Sequence, residues 1–360
     1  MFYPSHGANP LYTFEKFKVQ MPGSINDFSV NVNPFEAPYT ISSYSDQFEE
    51  WISHYPDPNI TQLNKVICST NAITRDHLFI GNGASQCIFL LAQYFRGKTV
   101  GIIQPTFVEY KEASILFGCT IKELVLTRDD DWIVRTEQIR AFLEEVDVVF
   151  ICNPNNPTGI VLNLDTMKEI IQWAKEADTY LIVDEAFYDF SSVPCSVAHL
   201  AQTNQHLIVL RSLTKMYKLA GIRLGYVVAS PLIIKEISRF SPPWSVNRFA
   251  QELAIDVLSI PQYPASIMKN IQQERDRISQ ELRSLGFYVS NSSVNFYLLC
   301  DPTNPEKIDL LIQYLLLKGI VPRHTYNFRG LDGKYIRLAV KDHESNNLLL
   351  QHLKGWKESC

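Results

Sequence analysis

The middle of the chain alternates short apolar runs with segments that are apolar only at every third or fourth position. VGIIQP (100–105), VDVVFIC (146–152), YLIVDEAF (180–187), LIVLRS (207–212) and GYVVAS (225–230) are apolar at successive positions. Each predicts a strand that needs cover on both faces. The segment DTMKEIIQWAKEAD (165–178) instead sets Met167, Ile170, Ile171 and Ala174 along one stripe, the spacing of an amphipathic helix. Covered strands separated by helices predict an α/β layered domain, with its ligand beyond the carboxyl ends of the strands.

After about residue 240 the pattern changes. FSPPWSVN (240–247) is a proline-marked break, and a long polar helix follows over 266–286. A strand at 294–300, a helix at 307–319 and a strand at 335–340 then predict a smaller α+β domain. The first forty residues carry Pro4, Pro10, Pro22, Pro34 and Pro38 and read as an extended arm. The expected division is an arm over 1–40 that contributes to the small domain and the active site, a large domain over 41–241 and a small domain over 242–360.

Composition narrows the class. A chain of 360 residues, 46% hydrophobic and 20% charged, can bury a substantial core. Its net charge of −5 offers no footprint for nucleic acid. The seven cysteines are scattered, with no CxxC pair, which points to reduced thiols rather than a disulfide or zinc framework, so no metal is expected. No apolar run is long enough to span a membrane, and MFYPSHGANP lacks the order of a signal peptide. The expectation is a soluble cytoplasmic protein.

Successive strands end on groups with a chemical use. NPNNPTG (153–159) follows VFIC, and Asp184 closes YLIV. Ser212, Thr214 and Lys215 follow LIVL, with Arg223 eight residues on. Singly each has an ordinary use: a lysine snorkelling from a strand end, an aspartate capping a helix, a proline-rich turn. Together they fit pyridoxal phosphate. That cofactor requires a lysine amine for its aldehyde, a carboxylate to keep its ring nitrogen protonated, a donor to its ring hydroxyl and a phosphate pocket. Lys215 supplies the amine, Asp184 the carboxylate and Asn156 the donor. Ser212 and Arg223 suit the phosphate, arginine through two parallel hydrogen bonds. GNGASQCIFLLAQYF (81–95) is a glycine turn opening a helix. Its free amides at Ala84 and Ser85 suit the same phosphate, although a tight turn alone would account for the glycines. Phe107 in PTFVEY is either a ring stacked on the cofactor or a core phenylalanine.

NPNNPTG, DEAF and SLTKxxxLAGxRLGY resemble the fold type I aminotransferases, in the group that contains histidinol-phosphate aminotransferase. The resemblance covers nearly the whole chain. HGANP (6–10), DFSVNVNP (27–34), DEAFYDF (184–190), LRSLTKMY (210–217), PPWSVN (242–247) and RGLDGKYIRLAV (329–340) are more similar to the threonine-phosphate decarboxylases of cobalamin biosynthesis. The resemblance implies a large domain with a mostly parallel seven-stranded sheet, a smaller α+β domain, and pyridoxal phosphate as cofactor. It also implies a homodimer in which Tyr55 reaches a cofactor phosphate across the interface. It assigns Arg337 to the substrate α-carboxylate. Arg323, with His6, Gly7, Asn31 and Asn156, falls around a phosphorylated amino acid. One departure is Phe187, where many members carry a tyrosine. Tyr188 beside it is expected to point away.

Three functions follow. The first is decarboxylation of L-threonine O-3-phosphate, or of L-serine O-phosphate, a small-molecule reaction without nucleic acid or membrane. The second is an aminotransferase, of histidinol phosphate or another substrate. The third is a cofactor-binding sensor or scaffold, which would not require Lys215, Asp184 and Arg223 together.

Overall fold

A computed structural model describes residues 7–359. The larger sheet has seven strands in the order Leu78–Gly81, Gly225–Val228, Leu207–Ser212, Tyr180–Asp184, Val148–Cys152, Thr99–Gln104 and Thr120–Val125. Gly225–Val228 is antiparallel to both neighbours, and the other six strands run parallel. Alternate side chains feed two different cores. Val149, Ile151, Val183 and Val209 enter one, and Val148, Phe150, Ile182 and Ile208 the other, as strand periodicity requires. This explains the nearly continuous apolar runs of the central strands.

The helix Leu164–Glu176 buries Met167, Ile170, Ile171 and Ala174, and its Asn163 cap accepts a 2.9 Å hydrogen bond from the Thr166 amide. Two strands of this sheet escaped the sequence reading. Leu78–Gly81 is only four residues long. Thr120–Val125 is an edge strand whose Lys122 and Glu123 interrupt its apolar run.

The second sheet is antiparallel, in the order Arg323–His324, Ile336–Ala339, Phe296–Cys300 and Tyr288–Val289. Tyr297, Leu299, Ile336 and Leu338 pack there with Leu311, Leu315, Leu349 and Leu353 from the helices Ile308–Leu317 and His343–Ser359. The proline-marked break at 240–247 does not end contact with the larger unit. The next helix, Arg248–Leu258, puts Phe249 edge-on against Trp51 at 5.2 Å.

The N-terminal segment corrects the expectation of an extended arm. Residues Pro10–Lys16 are helical, with proline at the helix start, where its missing N–H costs nothing. Phe14, Phe17 and Phe28 are buried in the core of the smaller unit, and Asn26–Asp27 pairs in parallel with Ile320–Val321. The aromatic spacing outweighed the scattered prolines. Among the described residues, no helix is long and apolar enough to cross a membrane.

Candidate active site

Cys152 pairs with Asp184, and Asp184 with Leu210, in the parallel register. The turn 153–159, the Asp184 carboxylate and the Ser212–Lys215 segment therefore emerge side by side at the carboxyl edge of the larger sheet. They border a cavity of about 450 Å³ whose other wall comes from the smaller unit, through Arg323, Asn327, Phe328 and Arg337. That volume is within the usual range for a cofactor or small ligand.

Lys215 Nζ donates to Ser212 Oγ at 3.1 Å, and the Ser212 hydroxyl lies 2.8 Å from that of Thr214. Burial pulls the Lys215 ammonium down to about 8; Asp184 opposes the shift and Arg223 adds to it. A lysine in this state is a usable nucleophile and base near neutral pH. Asp184 is buried. Burial raises its carboxyl above the ordinary range, and the Tyr110 hydroxyl, the Ala186 amide and Lys215 hold it back. Tyr110 donates to Oδ2 at 2.6 Å and the Ala186 amide to Oδ1 at 2.9 Å. Both oxygens are thus oriented, and the remaining lone pairs suit a cationic ring nitrogen.

One end of the cavity is a cradle for an anion. The helix Gly83–Tyr94 begins there, with free amides at its first turn. Gly83 has φ +81°, and a Cβ on it would come 2.7 Å from Arg223 Nη2. The absence of a side chain lets the guanidinium lie directly over the start of the helix. Ala84, Ser85, Ser212 and Arg223 all line this end.

The other end is built on a pair of arginines. Arg323 and Arg337 are direct partners on adjacent antiparallel strands, and both are buried. Like charges facing each other in a sheet repel. Burial and then Arg337 pull Arg323 down to about 9, while burial brings Arg337 to about 10. Arg337 donates to Asn156 Oδ1 at 2.6 Å and to the Ser29 carbonyl at 2.8 Å. Its Nε is buried without a partner among the described residues, as is Nδ2 of Asn31. Arg323 donates to Asn327 Oδ1 at 2.6 Å and lies over the Phe328 ring. Gly7 is also in the wall, where a Cβ would come 2.6 Å from the Ser29 carbonyl oxygen.

Of the residues singled out in the sequence, Gly7, Asn31, Ala84, Ser85, Phe107, Asn156, Asp184, Ser212, Lys215, Arg223, Arg323 and Arg337 line this one cavity. His6 lies outside the described residues. Tyr55 does not line the cavity; it is 81% exposed and packs on Trp244 at 5.0 Å. Phe107 meets Tyr110 edge-on at 5.8 Å. Phe187 takes the place beside Lys215, whose Nζ is 5.7 Å from its ring centre. Tyr188 turns elsewhere, under the Arg211 guanidinium. The sequence reading missed Tyr110, Glu109, Ser29 and Asn327. Only Tyr110 left a signal, as a hydroxyl on a buried helix face that needs a partner.

These residues fit pyridoxal phosphate. The Gly83 helix start with Arg223, the Asp184 carboxylate and the Lys215 amine face one cavity and would take the phosphate, the ring nitrogen and the aldehyde. Asn156, its oxygen held by Arg337, has its amide left as a donor. When bound, the cofactor supplies an aldehyde for a substrate amine and a ring that accepts an electron pair from Cα. Asp184 would sustain the positive charge that this requires, and Lys215 is placed to take or return the proton.

Residues 27–353 match the family Aminotransferase class I and II. A threonine-phosphate decarboxylase of Salmonella typhimurium is 30% identical over 99% of this chain and 97% of its own length. The crystal structure of a histidinol-phosphate aminotransferase from Clostridium acetobutylicum superposes with a TM-score of 0.84 at 32% identity, covering 92% of this chain and 99% of that one. That of an L-threonine-O-3-phosphate decarboxylase from Porphyromonas gingivalis gives 0.79 at 25% identity, covering 92% and 99%. The chain belongs to the class I and II aminotransferase family and is a pyridoxal-phosphate-dependent enzyme of that superfamily.

Proposed function

We propose that the protein decarboxylates a phosphorylated amino acid, L-threonine O-3-phosphate, with L-serine O-phosphate as the nearest alternative substrate. The products would be carbon dioxide and aminopropanol phosphate. The observation that carries this reading is the pairing of Arg323 with Arg337 in one cavity. Two buried guanidiniums, with Arg337 Nε unpartnered among the described residues, favour a substrate with two anionic ends. Arg337 would hold the carboxylate, and Arg323 with Asn31, Gly7 and His6 the phosphate. Lys215 would return a proton to Cα after the carboxylate has left. The likeness to threonine-phosphate decarboxylases supports the same choice.

Pure protein incubated with phosphothreonine and no keto acid should release carbon dioxide. Its absence, with rapid reaction of glutamate and imidazole-acetol phosphate instead, would establish the second reading, an aminotransferase. That reading is supported by the comparable likeness to histidinol-phosphate aminotransferases. The sensor or scaffold reading has no observation of its own.

We further infer a cytoplasmic homodimer. The six cysteines among the described residues are free, which fits a reducing compartment. Exposed Tyr55 and Trp244 form an aromatic pair suited to a two-fold contact. Sedimentation of a monomer that retains turnover would rule out a shared site.

A further inference from the structure

Glu123, on the edge strand of the larger sheet, has a side chain only 6% exposed and is approached by three donors. Its Oε1 accepts from Gln104 Nε2 at 2.9 Å and from Lys111 Nζ at 3.3 Å. Its Oε2 accepts from Lys111 at 3.3 Å and from Arg329 Nη1. Two of these donors belong to the cofactor side of the cavity. Gln104 accepts from the Thr106 amide at 3.0 Å, one residue before Phe107. Lys111 follows Glu109 and Tyr110 on the helix Glu109–Leu116. The third donor comes from the smaller unit. Arg329 follows Asn327 and Phe328, which line the cavity and contact Arg323. The segment is seated closely: Gly330 has φ +88°, and a Cβ there would come 2.9 Å from Val125 on the same edge strand.

We propose that Arg329 is a positioning residue: its ion pair with Glu123 fastens the segment 323–330 to the larger sheet and so fixes Arg323 across the cavity from the cofactor wall. Arg329 itself does not line the cavity. Lys111 and Gln104 hold the Glu123 carboxylate aimed at the sheet edge, where it meets the Arg329 guanidinium. What the segment presents to substrate rests on the phosphorylated-substrate reading; the fastening does not.

The test uses the holoenzyme and the substitutions Arg329→Ala and Arg329→Lys. Hydrogen exchange of peptides spanning 323–333 should be several-fold faster in Arg329→Ala, and close to wild type in Arg329→Lys. Phosphothreonine affinity, read from the cofactor's absorbance, should fall about fivefold in Arg329→Ala, while the affinity for threonine changes little. Unchanged exchange in Arg329→Ala overturns the proposal. Faster exchange with unchanged phosphothreonine affinity also overturns it, because the segment is then tied down without positioning anything. If wild type binds no phosphothreonine at all, the substrate reading fails, and exchange alone decides the fastening.

Discussion

The Tyr110 hydroxyl donates a 2.6 Å hydrogen bond to Oδ2 of Asp184, and both groups are buried. The tyrosine ring is itself fixed, stacked on Phe150 at 4.8 Å with planes 9° apart. Burial pushes this carboxylate towards protonation, and the Tyr110 hydrogen bond opposes that shift and aims the group. The first prediction follows. Hydrogen bonds to charged groups contribute roughly 1.5–3 kcal/mol, so Tyr110→Phe should weaken cofactor retention and turnover by about tenfold or more. Titration of the apoenzyme with pyridoxal phosphate would measure this. Unaltered affinity and turnover would show that the bond is dispensable.

Lys215 should carry the cofactor, and borohydride reduction with peptide mapping should find the label there. Only its neutral amine reacts. Because burial brings this group to about 8, the neutral fraction rises as pH climbs, by about tenfold between roughly pH 7 and pH 9. The rate of cofactor capture should follow that curve. The same depressed value makes the cofactor-free protein gain stability as pH rises from about 8 towards the ordinary lysine range, since the unfolded chain then binds the extra proton. Asp184→Asn removes the charge that opposes the shift and should move the capture curve to lower pH.

Gly83→Ala separates backbone strain from function. An alanine at φ +81° costs on the order of 1–2 kcal/mol, which a domain of this size survives. Its Cβ would meet Arg223 Nη2, the far end of a flexible side chain that can swing aside. The variant should therefore fold, with a melting temperature only a few degrees lower, yet lose at least about tenfold in pyridoxal phosphate affinity. Retained affinity would mean that Arg223 does not hold the phosphate.

Arg323→Ala tests the substrate end. It should weaken capture of phosphothreonine by at least about tenfold and leave unphosphorylated threonine, already a poor substrate, nearly unchanged. Equal losses on both compounds in kcat/KM would show that Arg323 does not meet the phosphate. Phosphoserine lacks one methyl, a difference that typically gives about 10–200-fold discrimination, so comparing the two esters on wild type should identify the better fit.

Much of this protein was legible in its sequence because strand chemistry is local. A strand covered on both faces has to be apolar throughout, so the point where it turns polar marks the carboxyl edge where ligands sit. Asp184, Lys215 and the 153–159 turn were visible on that basis, and the helix 164–176 through its stripe. The tertiary structure decided the rest. Tyr110 met Asp184 across 74 positions of chain, and no periodicity encodes such a partner. Arg323 and Arg337 became neighbours only through antiparallel register, which fixes what stands opposite what. The N-terminal segment folded into a helix that starts at Pro10 and is held by Phe14 and Phe17 in the smaller core. Glu123 looked like an ordinary edge-strand charge until Arg329, 206 positions away, was folded onto it. Sequence pattern determines which groups a strand end offers; which of them converge on one ligand is set by long-range packing, whose partners leave no local trace.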